Sequence, residues 1–154
     1  MALVIEGEER IEAPIETVWA ALNDPEILKA CIPGCDSLEK VTDTQLSATV
    51  TLKIGPIKAK FDGDVELKNL NPPHSYTIQG EGKGGIAGFA KGGADVSLVE
   101  ESPGVTILTY SAKADVGGKI AQLGSRLIDS TSRKLAGQFF ASFNEKVSAN
   151  AAMS

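Results

Sequence analysis

Apolar and polar residues alternate along the middle of the chain, whereas both ends repeat every three or four residues. Leu46, Ala48, Val50, Leu52 and Ile54 are separated by Ser47, Thr49, Thr51 and Lys53, the period of two that a half-buried strand needs. After Gly55-Pro56 the pattern resumes at Ile57, Ala59, Phe61, Gly63, Val65 and Leu67, until Asn71-Pro72-Pro73 stops it. Tyr76, Ile78 and Gly80 start another strand, which turns at Lys83-Gly84-Gly85. Ala94, Val96 and Leu98 mark the next, closed by Ser102-Pro103-Gly104, and Val105 to Ala114 forms the last. Its inner face falls to Thr106, Leu108, Tyr110 and Ala112, or else to Val105, Ile107 and Thr109; the pattern fits both.

A first strand spans Leu3 to Ile11. Pro14 suits the first turn of a helix, and Ile15, Val18, Trp19 and Leu22 follow at helical spacing. Asn23-Asp24-Pro25-Glu26 starts a second, short helix, with Asp24 as cap and Pro25 as first helical residue; Pro33-Gly34 ends it. Beyond Gly117-Gly118, an apolar stripe runs through Ile120, Leu123, Leu127, Ile128, Thr131, Leu135, Phe139 and Phe143. It predicts one helix from about Lys119 to Lys146, which at ~1.5 Å per residue is ~42 Å long. A helix of that length lies across a whole sheet, and a sheet that wraps it must bend. Several of the sixteen glycines fall inside strand patterns, where they allow such bending. The expected fold is therefore α+β: a curved antiparallel sheet around a long C-terminal helix, in a single domain over 1–154.

In an antiparallel meander, alternate turns share one end of the sheet. Gly55-Pro56, the turn through Lys83, Gly84 and Gly85, and the exit at Gly117-Gly118 thus meet beside the start of the long helix, with Ile86 and Phe89 adding apolar side chains. They form either the hinged mouth and partner contact of a cavity or a set of plain tight turns. The cavity would be lined by Phe61, Val65, Tyr76, Ile78, Leu108 and Tyr110 from the sheet, with Leu123, Leu127 and Ile128 from the helix. The same residues equally suit a filled core.

The formal net charge is −5, which disfavours nucleic acid. Lys53, Lys58 and Lys60 stand beside Asp62, Asp64 and Glu66, as on a solvated sheet face. Glu6 interrupts the N-terminal apolar run too early for a secretory signal, so the expected compartment is the cytoplasm. Cys31 and Cys35 then read as reduced thiols, and His74 as a turn residue. With one histidine there is no catalytic triad or metal cluster to assign, and no cofactor is expected. Gly80-Glu81-Gly82-Lys83-Gly84-Gly85 formally contains GxGxxG, yet a strand follows it instead of a helix.

Three stretches carry a family resemblance. They are Ala13-Pro14 to Trp19 with Asn23-Asp24-Pro25-Glu26 and Cys31-Ile32-Pro33-Gly34-Cys35; Gly80 to Ala94; and Val116-Gly117-Gly118 through Arg126-Leu127-Ile128. Together they resemble the CoxG family of carbon monoxide dehydrogenase subunits. The resemblance implies the helix-grip fold of the lipid-transfer START and pollen-allergen superfamily: two short helices after the first strand, seven strands and a long C-terminal helix. A further short strand at about Cys35 to Val41 completes that count. The resemblance also implies a non-catalytic module that binds an apolar small molecule, a quinone or lipid, and serves a molybdenum hydroxylase of the carbon monoxide dehydrogenase type. Surface-mediated recruitment or assembly of that dehydrogenase, with an incidental cavity, is the alternative. The superfamily also hosts cyclases and hydrolases, for which Tyr76 or Tyr110 would be the polar group. Some members carry an apolar tail that touches the membrane. This sequence ends at Ala149-Asn150-Ala151-Ala152-Met153-Ser154 without one, which favours the bare binding domain with at most peripheral membrane contact.

Overall fold

The computed structural model describes residues 1–153, with side chains through residue 149; Ser154 lies outside the described residues. In chain order the elements are β1 (Ala2–Ile11), α1 (Ile15–Leu22), α2 (Pro25–Cys31), β2 (Cys35–Thr42), β3 (Gln45–Ile54), β4 (Ile57–Asn71), β5 (Ser75–Lys83), β6 (Phe89–Ser102), β7 (Val105–Gly117) and α3 (Ser125–Met153). The strands form one antiparallel sheet in the order β1-β7-β6-β5-β4-β3-β2. This is the helix-grip arrangement, and it includes the short strand expected after α2.

Local signals account for the helix starts. Asp24 accepts a hydrogen bond from the Glu26 N–H at 2.9 Å, and Pro25 follows it where no N–H is needed. Pro14 sits one residue earlier than expected, as the extended cap of α1, whose Ile15, Val18, Ala21 and Leu22 are buried.

The expectation of one continuous helix from Lys119 needs correction. Lys119–Leu123 is a 3-10 turn, and α3 begins only at Ser125. Gly124 separates them with φ +96°, a backbone conformation that an apolar stripe does not reveal and that glycine adopts without steric cost.

The register of β7 is settled in favour of Thr106, Leu108, Tyr110 and Ala112 on the concave face. Thr106 is fully buried and donates a 2.8 Å hydrogen bond to the Ala13 carbonyl, just ahead of α1. A valine at that position could not satisfy this carbonyl, which is the physical reason a polar residue occupies an inner site.

Two apolar clusters line the concave face. One gathers α1, Cys31, Leu46, Leu67, Tyr76, Val96, Leu98 and Leu108 beneath Phe143 and Val147 of α3. The other sits at the end with the glycine-rich turns and joins Ile54, Phe61, Ala87, Val116 and Ile120 to Ile128. Between them the paired positions are small: Gly63 opposite Gly82, Gly80 opposite Gly92, and Ala94 opposite Ala112. A strip of glycine and alanine raises no side chains toward the helix.

Candidate functional site

The helices and the sheet do not close completely. A cavity of about 270 Å³ remains beside the first cluster. Leu22 and Asn23 at the end of α1, Leu28 of α2 and Ile32 form one wall, and Leu38 and Lys40 of β2 form another. Leu46, Ala48, Val65, Leu67, Tyr76, Ile78, Val96 and Leu108 rise from the sheet, and Phe139 and Phe140 descend from α3. The surface offered to an occupant is almost wholly hydrocarbon and aromatic.

Polar groups at this cavity are few. The Asn23 side-chain amide donates to the Trp19 carbonyl at 2.9 Å, leaving its oxygen free to accept. Lys40 is exposed at the rim. Tyr76 is only 5% exposed, and its ring is met edge-on by Trp19 at 5.3 Å between centroids. Burial pushes the Tyr76 hydroxyl well above the ordinary tyrosine range, because the phenolate would lose its hydration there. The Cys31 thiol is likewise raised by burial, against the opposing pull of Lys146, and Cys35 is raised mainly by burial too. Both cysteines are free. Among the described residues, no group of three or more His, Cys, Asp and Glu is placed to hold a metal ion.

The nine residues expected to line one cavity are distributed over three places. Val65, Tyr76, Ile78 and Leu108 line the 270 Å³ space. Tyr110 lies alongside, stacked on the cavity residue Phe140. Phe61, Ile128 and Leu123 belong to the second cluster, and Leu127 packs over Gly55. Sequence reasoning missed Leu38, Leu46 and the aromatic pair from α3. Phe139 was on the helical stripe, but Phe140 stands one residue off it.

The expected mouth residues do meet at one end of the sheet. Gly55 and Pro56 form the β3–β4 turn. Lys83 ends β5, Gly84 precedes a 3-10 turn over Gly85–Ala87, and Gly117 and Gly118 leave β7. Gly88 and Gly118 touch backbone to backbone, so neither has room for a side chain. Ile86 is 91% exposed and Phe89 is 42% exposed. None of these residues borders the 270 Å³ cavity. A wider trough of about 1050 Å³ lies on the outer face of the sheet, walled only by strand residues such as Asp64, Thr77, Gln79, Lys91, Asp95 and Lys113. It is more polar and more open than the space beneath α3.

A seven-stranded antiparallel sheet gripping a long C-terminal helix, with an apolar hollow between them, defines the class as a helix-grip protein. Within that class the chain belongs to the CoxG family of carbon monoxide dehydrogenase subunits, whose sequence model matches residues 7–148. A conserved protein from Geobacillus kaustophilus is 32% identical over 96% of both chains and superposes with a TM-score of 0.89. The Zhui aromatase/cyclase from Streptomyces sp. R1128 shares the fold at a TM-score of 0.69, with 10% identity over 96% of this chain and 94% of that one. A point mutant of norcoclaurine synthase from Thalictrum flavum, crystallised with a transition state analogue, shares it at 0.63, with 15% identity over 96% and 94%. Among curated proteins no sequence relative was found. No helix among the described residues is long and apolar enough to cross a membrane.

Proposed function

We propose that this protein is a non-catalytic carrier that holds an apolar small molecule, a quinone or lipid-like compound, and acts in the cytoplasm beside a molybdenum hydroxylase of the carbon monoxide dehydrogenase type. The observation that carries this reading is the 270 Å³ cavity with a hydrocarbon and aromatic lining. A volume near the lower edge of the roughly 300–1,000 Å³ typical of ligand pockets suits a ring better than a whole long-chain lipid. Its lining offers a ligand apolar contact and few polar groups, the chemistry of holding instead of turning over. Family membership supplies the dehydrogenase as the expected partner.

Native mass spectrometry of gently purified protein, followed by thermal-shift titration with a short-chain quinone, tests the reading. A carrier retains a small molecule and gains stability with quinone concentration, by about 2.7 kcal/mol at a hundred times Kd. An empty protein whose transition does not move with quinone overturns it.

A second reading rests on a separate observation, the exposed Ile86 and Phe89 at the glycine-rich end. There the chain recruits the dehydrogenase through its surface, and the cavity is incidental. Retention of the dehydrogenase by a ligand-free protein would favour it.

A further inference from the structure

The Tyr76 hydroxyl is the one buried polar group of the cavity that the fold itself does not use. Tyr76 projects from β5 into the first cluster and is 5% exposed. Every fully sealed side-chain nitrogen and oxygen among the described residues has a hydrogen-bond partner. The Tyr76 hydroxyl bonds to no described residue, so its oxygen must face open space, and the space its ring borders is the cavity. Trp19 packs nearly perpendicular to the ring, 5.3 Å away between centroids. A hydroxyl that has no protein acceptor and faces open space is left to water or to an occupant that can accept from it.

We infer that Tyr76 is the specificity-determining residue of the carrier cavity and donates a hydrogen bond to a carbonyl oxygen on a flat ring ligand. This rests on the carrier reading above and sharpens it from any apolar molecule to one bearing an acceptor. A carbonyl fits because it accepts without bringing a second donor that the hydrocarbon walls would leave unpaired. The ring fits because Phe139 and Phe140 present aromatic surfaces across the same space, and flat rings pack well on such surfaces. A saturated acyl chain uses neither feature.

The test compares two probes of nearly equal shape, the ring ketone 1-tetralone and its hydrocarbon counterpart tetralin. Their affinities are measured by calorimetry on the wild type and on Tyr76→Phe. Emission from Trp19, the single tryptophan, reports locally on the same site. Urea denaturation establishes that the variant is folded. In the wild type the ketone binds about 3–10-fold tighter than the hydrocarbon, the range a neutral hydrogen bond supports. In Tyr76→Phe that preference falls to about one, because hydrocarbon binding is retained while ketone binding weakens. Equal affinities in the wild type, or a preference unchanged in the variant, overturn the role of Tyr76 and leave the carrier reading standing. Binding of neither probe overturns both.

Discussion

The rings of Tyr110 and Phe140 are stacked, 5.0 Å between centroids and 19° from parallel, tying β7 to α3 beside the cavity. Gly7, on the neighbouring strand β1, pairs with Tyr110 and lies directly beneath its ring. A side chain at Gly7 would occupy the space of that ring, so the stack depends on the absence of one. Gly7→Val should push Tyr110 off Phe140 and destabilise the protein by about 1–3 kcal/mol, as overpacking does. Urea unfolding measures this, and an unchanged midpoint would mean that the stack tolerates displacement.

Thr106 reports on the junction of β7 with the start of α1. Thr106→Val preserves shape but leaves the Ala13 carbonyl buried without its 2.8 Å donor. The expected loss is about 1–3 kcal/mol, with no change in ligand affinity because Thr106 does not border the cavity. A loss below ~0.5 kcal/mol would show that another donor reaches Ala13.

The raised hydroxyl of Tyr76 gives stability a dependence on alkaline pH. Folding keeps this proton above the ordinary pKa of 10.0, whereas the unfolded chain releases it there. The unfolded state then binds fewer protons, so stability is intact below pH 10 and declines as pH rises beyond it, by at most about 1.4 kcal/mol per unit from this group. Urea midpoints between pH 8 and pH 11 should fall less steeply in Tyr76→Phe than in the wild type. Parallel curves would mean that the hydroxyl is as well hydrated folded as unfolded.

Much of this architecture was legible in the sequence. Period-two alternation placed β3, β4 and β5, and Asp24-Pro25 marked the start of α2. Tight turns were legible too, because glycine and proline punctuate them for backbone reasons that need no tertiary context. The remainder required three dimensions. Both faces of β7 carry β-branched or apolar residues, and the deciding fact, a hydroxyl paired with Ala13, joins positions 93 residues apart. Gly124 breaks the helix inside an otherwise continuous stripe, where a tolerated glycine looks the same. Phe61 and Val65 share one face of β4, yet one belongs to the second cluster and the other to the cavity wall. Distance along a strand, not inward orientation, separates them. Phe140 was missed because a broad helix buries residues beyond its central stripe.

The exposed apolar pair at the glycine-rich end separates recruitment from ligand carriage. Replacing Ile86 and Phe89 together by serine should cost about 1–2 kcal/mol and leave the protein folded, nearly all of it from Phe89, whose ring packs on Gly117, since Ile86 is almost wholly in solvent. If this end contacts the dehydrogenase, the double variant co-purifies with less of it while binding a short-chain quinone as before. Undiminished co-purification would remove the basis for a contact there.

Gly82 and Gly80 together test the small-residue strip of the sheet. Gly82 has nothing within 4 Å of where its Cβ would be. Gly82→Val puts a β-branched side chain on a strand, so stability should stay within about 0.5 kcal/mol or rise slightly. Gly80 is the contrasting position: its Cβ would come within 3.2 Å of both the Asp64 carbonyl oxygen and a Val65 methyl, so Gly80→Val should cost about 1–3 kcal/mol. Urea unfolding of the two variants measures the difference, and equal midpoints would mean that the sheet yields at Gly80 as readily as at Gly82.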